Sequence, residues 1–131
     1  MSFRAPSSFA TRVLPAMLST AAIFYGGLIR LGPLPQVGQV PSDKVGHAVV
    51  FAALTALLCS AFRYVFPAYP STRNVVLSVA TASTLGALLE LCQMLVSYRF
   101  AEAMDWVADT FGALLVGLVL QVTLPSPSNA P

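Results

Sequence analysis

Lys44 and His47 stand three residues apart and Phe51 follows four residues later, so a helix would carry all three on one face. Further along, Glu90 and Gln93 share a three-residue spacing, Arg99 follows, and Asp105 and Asp109 are four apart. These residue types carry chemistry. A histidine near carboxylates suits general acid–base or nucleophilic work, with His47 as the reacting group and Glu90 or Asp105 as its orienter. Lys44 and Arg99 suit a phosphate or carboxylate head group, with Gln93, Asp109 and Asp43 as further binding groups. His47, Glu90, Asp105 and Asp109 offer nitrogen and oxygen donors, but their spacing matches no metal signature, so no metal is expected. The sequence assigns no cofactor, and it carries neither a nucleophile elbow nor a phosphate-binding glycine loop.

The rest of the chain must position these groups, and it is strongly apolar. Of 131 residues, 56% are hydrophobic and 9% are charged, with a mean hydropathy of +0.77. A soluble domain of this size carries about a quarter charged residues and cannot hide so much apolar surface. Composition therefore excludes a soluble enzyme and a disordered chain. The seven basic residues are scattered and the net charge is only +2, which excludes nucleic acid as a partner. The expected architecture is all-α: a single transmembrane domain of four helices, at about 20 residues per span.

The spans are read at about 13–31, 44–66, 74–98 and 103–124, with flexible tails at 1–10 and 125–131. Prolines mark three of the boundaries, at Pro33, Pro35 and Pro41, at Pro67 and Pro70, and at Pro125 and Pro127. Arg99 and Glu102 mark the fourth. The first span lacks a cleavage site and reads as an uncleaved helix. Arg4, Arg12, Arg63 and Arg73 fall on one side, against Arg30, Lys44 and Arg99 on the other. This bias puts both termini in the cytoplasm. Cys59 and Cys92 lie at different depths and read as free thiols.

Because helix direction alternates, four distant segments deliver polar groups to one outer layer. Arg30 ends the first span there, Lys44 and His47 begin the second, Glu90, Gln93 and Arg99 close the third, and Asp105 and Asp109 open the fourth. Ser83, Gly86, Glu90, Gln93 and Ser97 form one stripe on the third helix. Glu90 reads as lying about two turns inside that helix, where a carboxylate facing lipid is costly, so Glu90 and Asp109 should face the bundle interior. Small residues four apart, among them Ala22 with Gly26 and Ala113 with Gly117, read as helix contacts. Structural roles stand beside the functional ones. Asp43 suits the start of a helix, Lys44 suits snorkelling, Arg99 suits pairing with Glu90 or Asp105, and Glu102 suits solvent. Arg63 and Arg73 read as topology charges, and Tyr98 and Trp106 as interfacial aromatics.

The run Asp43-Lys44-x-x-His47-x-x-x-Phe51-x-x-Leu54 resembles the first signature of the VanZ-like family of small membrane proteins. Glu90-x-x-Gln93, Arg99 and Asp105-x-x-x-Asp109-x-x-Gly112-x-x-x-x-Gly117 resemble the second. These segments cover about a third of the chain. The family usually has Asn where this chain has Asp109, which adds a charge. The resemblance implies a polytopic membrane protein of four or more helices and marks Asp43, Lys44, His47, Glu90, Gln93, Arg99 and Asp105 as site positions. The family's name comes from a member associated with low-level teicoplanin resistance, and the resemblance implies no particular reaction. Three functions therefore stand open: an enzyme acting on a phosphorylated or otherwise polar lipid head group, a non-catalytic binder of a membrane lipid or of a lipid-linked or lipid-tailed small molecule such as a lipid-tailed antibiotic, and a structural partner of envelope proteins. Transport is disfavoured, since the cytoplasmic half offers no polar path and no inverted repeat is visible.

Overall fold

The computed structural model describes residues 8–29 and 42–124. Arg30 and the expected loop of Pro33, Pro35 and Pro41 lie outside the described residues, as do Arg4, Pro125 and Pro127. The described residues are helical, with no strand among them. Helix α1 is Phe9–Arg12 and α2 is Leu14–Leu28, with Val13 between them. Helix α3 is Ser42–Val65, α4 is Ser71–Gln93 and α5 is Ala103–Thr123. Phe9 and Ala10, expected in a tail, are thus helical, and the Ser8 amide donates to the Thr11 hydroxyl at 3.1 Å at this end.

Three segments are long and apolar enough to cross a membrane: Asp43–Val65, Ser71–Gln93 and Ala103–Thr123. Their outward faces carry Val49, Leu88, Phe111, Leu118 and Val122, each well exposed. This inverts the pattern of a soluble bundle, whose outer surface is polar. The expected first span is shorter than its hydropathy suggested, because the continuous helix α2 has 15 residues. At 1.5 Å per residue that is about 22 Å.

The second span begins with Asp43 already inside the helix, in its first turn, rather than just before it. The third is displaced from 74–98. Pro70, in extended geometry, is the residue before α4, and Ser71, Thr72 and Arg73 simply continue the helix from it. At the other end α4 stops at Gln93. The backbone then tightens into turns, with Leu95 N–H to Cys92 O and Val96 N–H to Gln93 O, both 3.1 Å. Met94, Leu95 and Val96 are apolar enough to pass for helix by composition, but the chain must fold back here to enter α5. Two expectations change as a result. Ser97 leaves the α4 stripe, and Glu90 sits in the last turn of α4 rather than two turns inside it.

The chain runs up and down, with α3, α4 and α5 in close mutual contact and α2 packed more loosely against α3 and α4. Phe51, Leu54, Leu58, Ala82 and Ala113 form the buried centre, joined by Ala16 from α2. Gly112 lets α5 meet the backbone of α3, since a Cβ there would collide with the Ala48 carbonyl. Buried hydroxyls bond inside their own helices, as Thr55 does to the Phe51 carbonyl at 2.8 Å and Ser78 to the Asn74 carbonyl at 2.6 Å. The α3–α4 turn is held by Phe66 stacked on Tyr69, with the Arg73 guanidinium 3.8 Å from the Tyr69 ring centre.

Candidate functional site

Every carboxylate side chain of the protein lies at one end of this bundle. The first turns of α3 and α5 and the last turn of α4 meet there, with Glu90, Gln93 and Asp105 buried and the Asp43 side chain partly exposed. Asp105 and Asp109 are buried on successive turns of α5, and Asp109 is fully enclosed. On α3, Lys44 and His47 face them. His47 Nδ1 lies 2.8 Å from Asp109 Oδ1, and Nε2 lies 3.7 Å from Asp105 Oδ2. Gly86 of α4 makes room for this pair, because a Cβ there would lie 2.7 Å from Asp109 Oδ2. The close approach at Gly112 sits one turn below. The histidine–carboxylate contact thus depends on two glycines on two helices.

Lys44 donates to Glu102 at 2.7 Å and to Asp105, and has Asp43 at 3.7 Å. Three carboxylates therefore surround one ammonium. Glu90 is buried, and its Oε2 accepts the Glu102 backbone N–H at 2.8 Å. Its Oε1 has no hydrogen-bond partner among the described residues, and neither has Asp109 Oδ2. Gln93 donates to the Gly27 carbonyl at 3.0 Å, Tyr98 to the Leu28 carbonyl at 2.8 Å, and Arg99 to the Ile29 carbonyl at 2.6 Å. These three side chains thus donate to carbonyls at the end of α2, where a helix lacks intrahelical donors.

The structure thus brings together all eight expected residues but redistributes their partners. Asp109, expected as a binding group, is the direct partner of His47. Asp105 lies at the other imidazole nitrogen, and Glu90 fixes the loop before α5. Arg99 meets backbone carbonyls of α2 instead of pairing with Glu90 or Asp105. Glu102, read as a solvated residue, links Lys44 and Glu90. Its position three residues before Asp105 was the available signal. Trp106, expected in the aromatic belt, donates to the Ser83 carbonyl at 3.1 Å, tying α5 to α4.

A cavity of about 550 Å³ opens beside this cluster, between α2, α3 and the end of α4. Its polar end carries Asp43, His47, Arg99, Glu102 and Asp105. Its wall toward the middle of the bundle is apolar, with Ile23, Val50, Phe51 and Leu89. Gly26 and Gly46 line it from α2 and α3, and among the described residues neither has an atom within 4 Å of where a Cβ would stand. The absent side chains leave the space open. With Asp109 ionised, it accepts from Nδ1–H, so the other imidazole nitrogen is the one left for chemistry. Among the described residues there is no group of three or more metal-ligating side chains arranged for an ion.

Compared with protein families, curated proteins and solved structures, the chain gives no match.

Proposed function

We propose that this protein is a multi-pass membrane protein of VanZ-like type whose acidic end binds the head group of an amphiphile, with the tail along the cleft between α2 and α3. The observation that carries this reading is the cavity itself, which has titratable groups at one end and an apolar wall leading from it. In this reading α1 and α2 together make a fourth crossing. Arg12 to Ile29 rises about 26 Å, close to the thickness of the hydrocarbon layer. Both termini then face the cytoplasm of a bacterial cell, and the acidic end faces outward.

Charge narrows the head group. Lys44 is already surrounded by carboxylates and Arg99 is directed at α2, so the two cations expected to clamp phosphate are engaged. Among the described residues, five carboxylates stand against these two cations and His47, which favours a head group that donates hydrogen bonds or carries positive charge. The test is to purify the protein in detergent, exchange the detergent, and weigh the retained lipid by native mass spectrometry. Wild type should keep an amphiphile that Gly46→Leu, whose Cβ would meet nothing within 4 Å among the described residues, releases by filling the open wall. Equal retention by the two proteins would defeat the proposal.

A second reading rests on the His47–Asp109 contact. A carboxylate that fixes one imidazole nitrogen leaves the other placed as a general base toward the cavity. Turnover of a labelled lipid extract by wild type, abolished in His47→Asn with binding retained, would favour catalysis over simple capture.

A further inference from the structure

The opposite end of the bundle has its own cavity. It measures about 460 Å³ and lies among α1, α3 and the end of α5. Ala56, Cys59, Ser60, Arg63 and Tyr64 line it from α3, where their spacing puts them on one face. Arg12 enters from α1 and donates to the Ser60 hydroxyl at 3.2 Å. Leu120 and Leu124 close the remaining side. We propose that this cavity is a second, separate binding site, for a phosphate-bearing anion.

Three observations carry the proposal. Two guanidinium groups open on one space, although like charges in a shared cavity repel each other. No Asp or Glu side chain offsets them, since the five acids, Asp43, Glu90, Glu102, Asp105 and Asp109, are all at the other end of the helices. Lys44 and Arg63, on α3, are separated by about 28 Å of helix rise. The third observation is the donor set. Two planar guanidinium forks with the Ser60 and Tyr64 hydroxyls match the several acceptor oxygens of a phosphate. The leucine side offers an apolar neighbour for a lipid chain, so the phosphate can belong to a lipid head group or be free in solution. Arg73 supplies an internal contrast. It lies near the same end but stacks on Tyr69 and does not line the cavity.

The site is tested on the full-length purified protein in a neutral maltoside detergent. Equilibrium binding is measured to inorganic phosphate, to phosphatidylglycerol in mixed micelles, and to diacylglycerol, which has the same tails and no phosphate. Binding of phosphatidylglycerol alone assigns a lipid head group, and binding of inorganic phosphate assigns a free anion. The double variant Arg12→Gln/Arg63→Gln should lose at least tenfold in affinity, as expected when charge-assisted hydrogen bonds are removed, while Arg73→Gln should bind as wild type does. Arg63→Gln alone, at an exposed helix position, replaces the double variant if that fails to fold, with a loss of about tenfold. The proposal is overturned if neither phosphate ligand binds more tightly than diacylglycerol. It is overturned equally if the cavity variants bind like wild type, or if Arg73→Gln weakens binding as much as they do, since the effect would then be general surface charge.

Discussion

Replacing Gly112 by alanine should separate His47 from Asp109 without touching either residue. The added Cβ would collide with the carbonyl group of Ala48, the residue next to His47. The obstacle is backbone in mid-helix, so it cannot swing aside as a side chain would. A relaxed carbon–oxygen contact needs about 3.3 Å, and reaching it requires α3 and α5 to part by about 1 Å. The imidazole–carboxylate contact spans the same two helices one turn away at 2.8 Å. Stretched by about 1 Å it passes beyond hydrogen-bond range. Overpacking of this kind costs about 1–3 kcal/mol. Thermal unfolding in detergent should register that loss. Imidazole nitrogen shifts should register the broken contact without ambiguity, because His47 is the chain's single histidine. Gly46→Ala is the control, since its Cβ would meet nothing within 4 Å among the described residues. If Gly112→Ala melts with Gly46→Ala and leaves the imidazole signals in place, the close approach of α3 and α5 does not hold the site together.

Other substitutions separate the roles of the remaining site residues. Glu90→Gln keeps an acceptor for the Glu102 amide, so unfolding should stay within about 1 kcal/mol of wild type, whereas Glu90→Leu should cost about 1–3 kcal/mol by leaving that donor unpaired; equal melting of the two variants would argue against the loop-fixing role. Arg99→Ala should destabilise by about 1.5–3 kcal/mol through loss of its charge-assisted bond to the Ile29 carbonyl, and proteolysis should then reach the end of α2 sooner; unchanged cleavage there would count against the role. Cys59 and Cys92 are both free, so mass analysis after thiol alkylation in denaturant without reductant should find two modified cysteines, and a mass lacking both adducts would show a bridge.

The sequence by itself determined the class of the fold and the gathering of its polar groups. Apolar runs of helical length, interrupted by proline and charge, specify helices, and alternating helix direction then sends Lys44, His47, Glu90, Asp105 and Asp109 to one end. That much follows from hydropathy and topology alone. Helix ends were harder to read, because Met94, Leu95 and Val96 are as apolar in a turn as in a helix. The turn was decided by the need to enter α5 and by Tyr98 and Arg99 reaching the carbonyls of α2. Those long-range partners also placed Glu90 in a final turn. The choice of carboxylate for His47 was tertiary as well. Spacing puts Asp105 and Asp109 on one face of α5 but does not say which of them lies opposite the imidazole. Gly86 and Gly112 decide that by setting how closely α4 and α5, and α3 and α5, can approach. The basic cavity was invisible for the same reason. Arg12 and Arg63 are distant in sequence and each reads as a topology charge, and only the packing of α1 beside α3 brings them to a shared space.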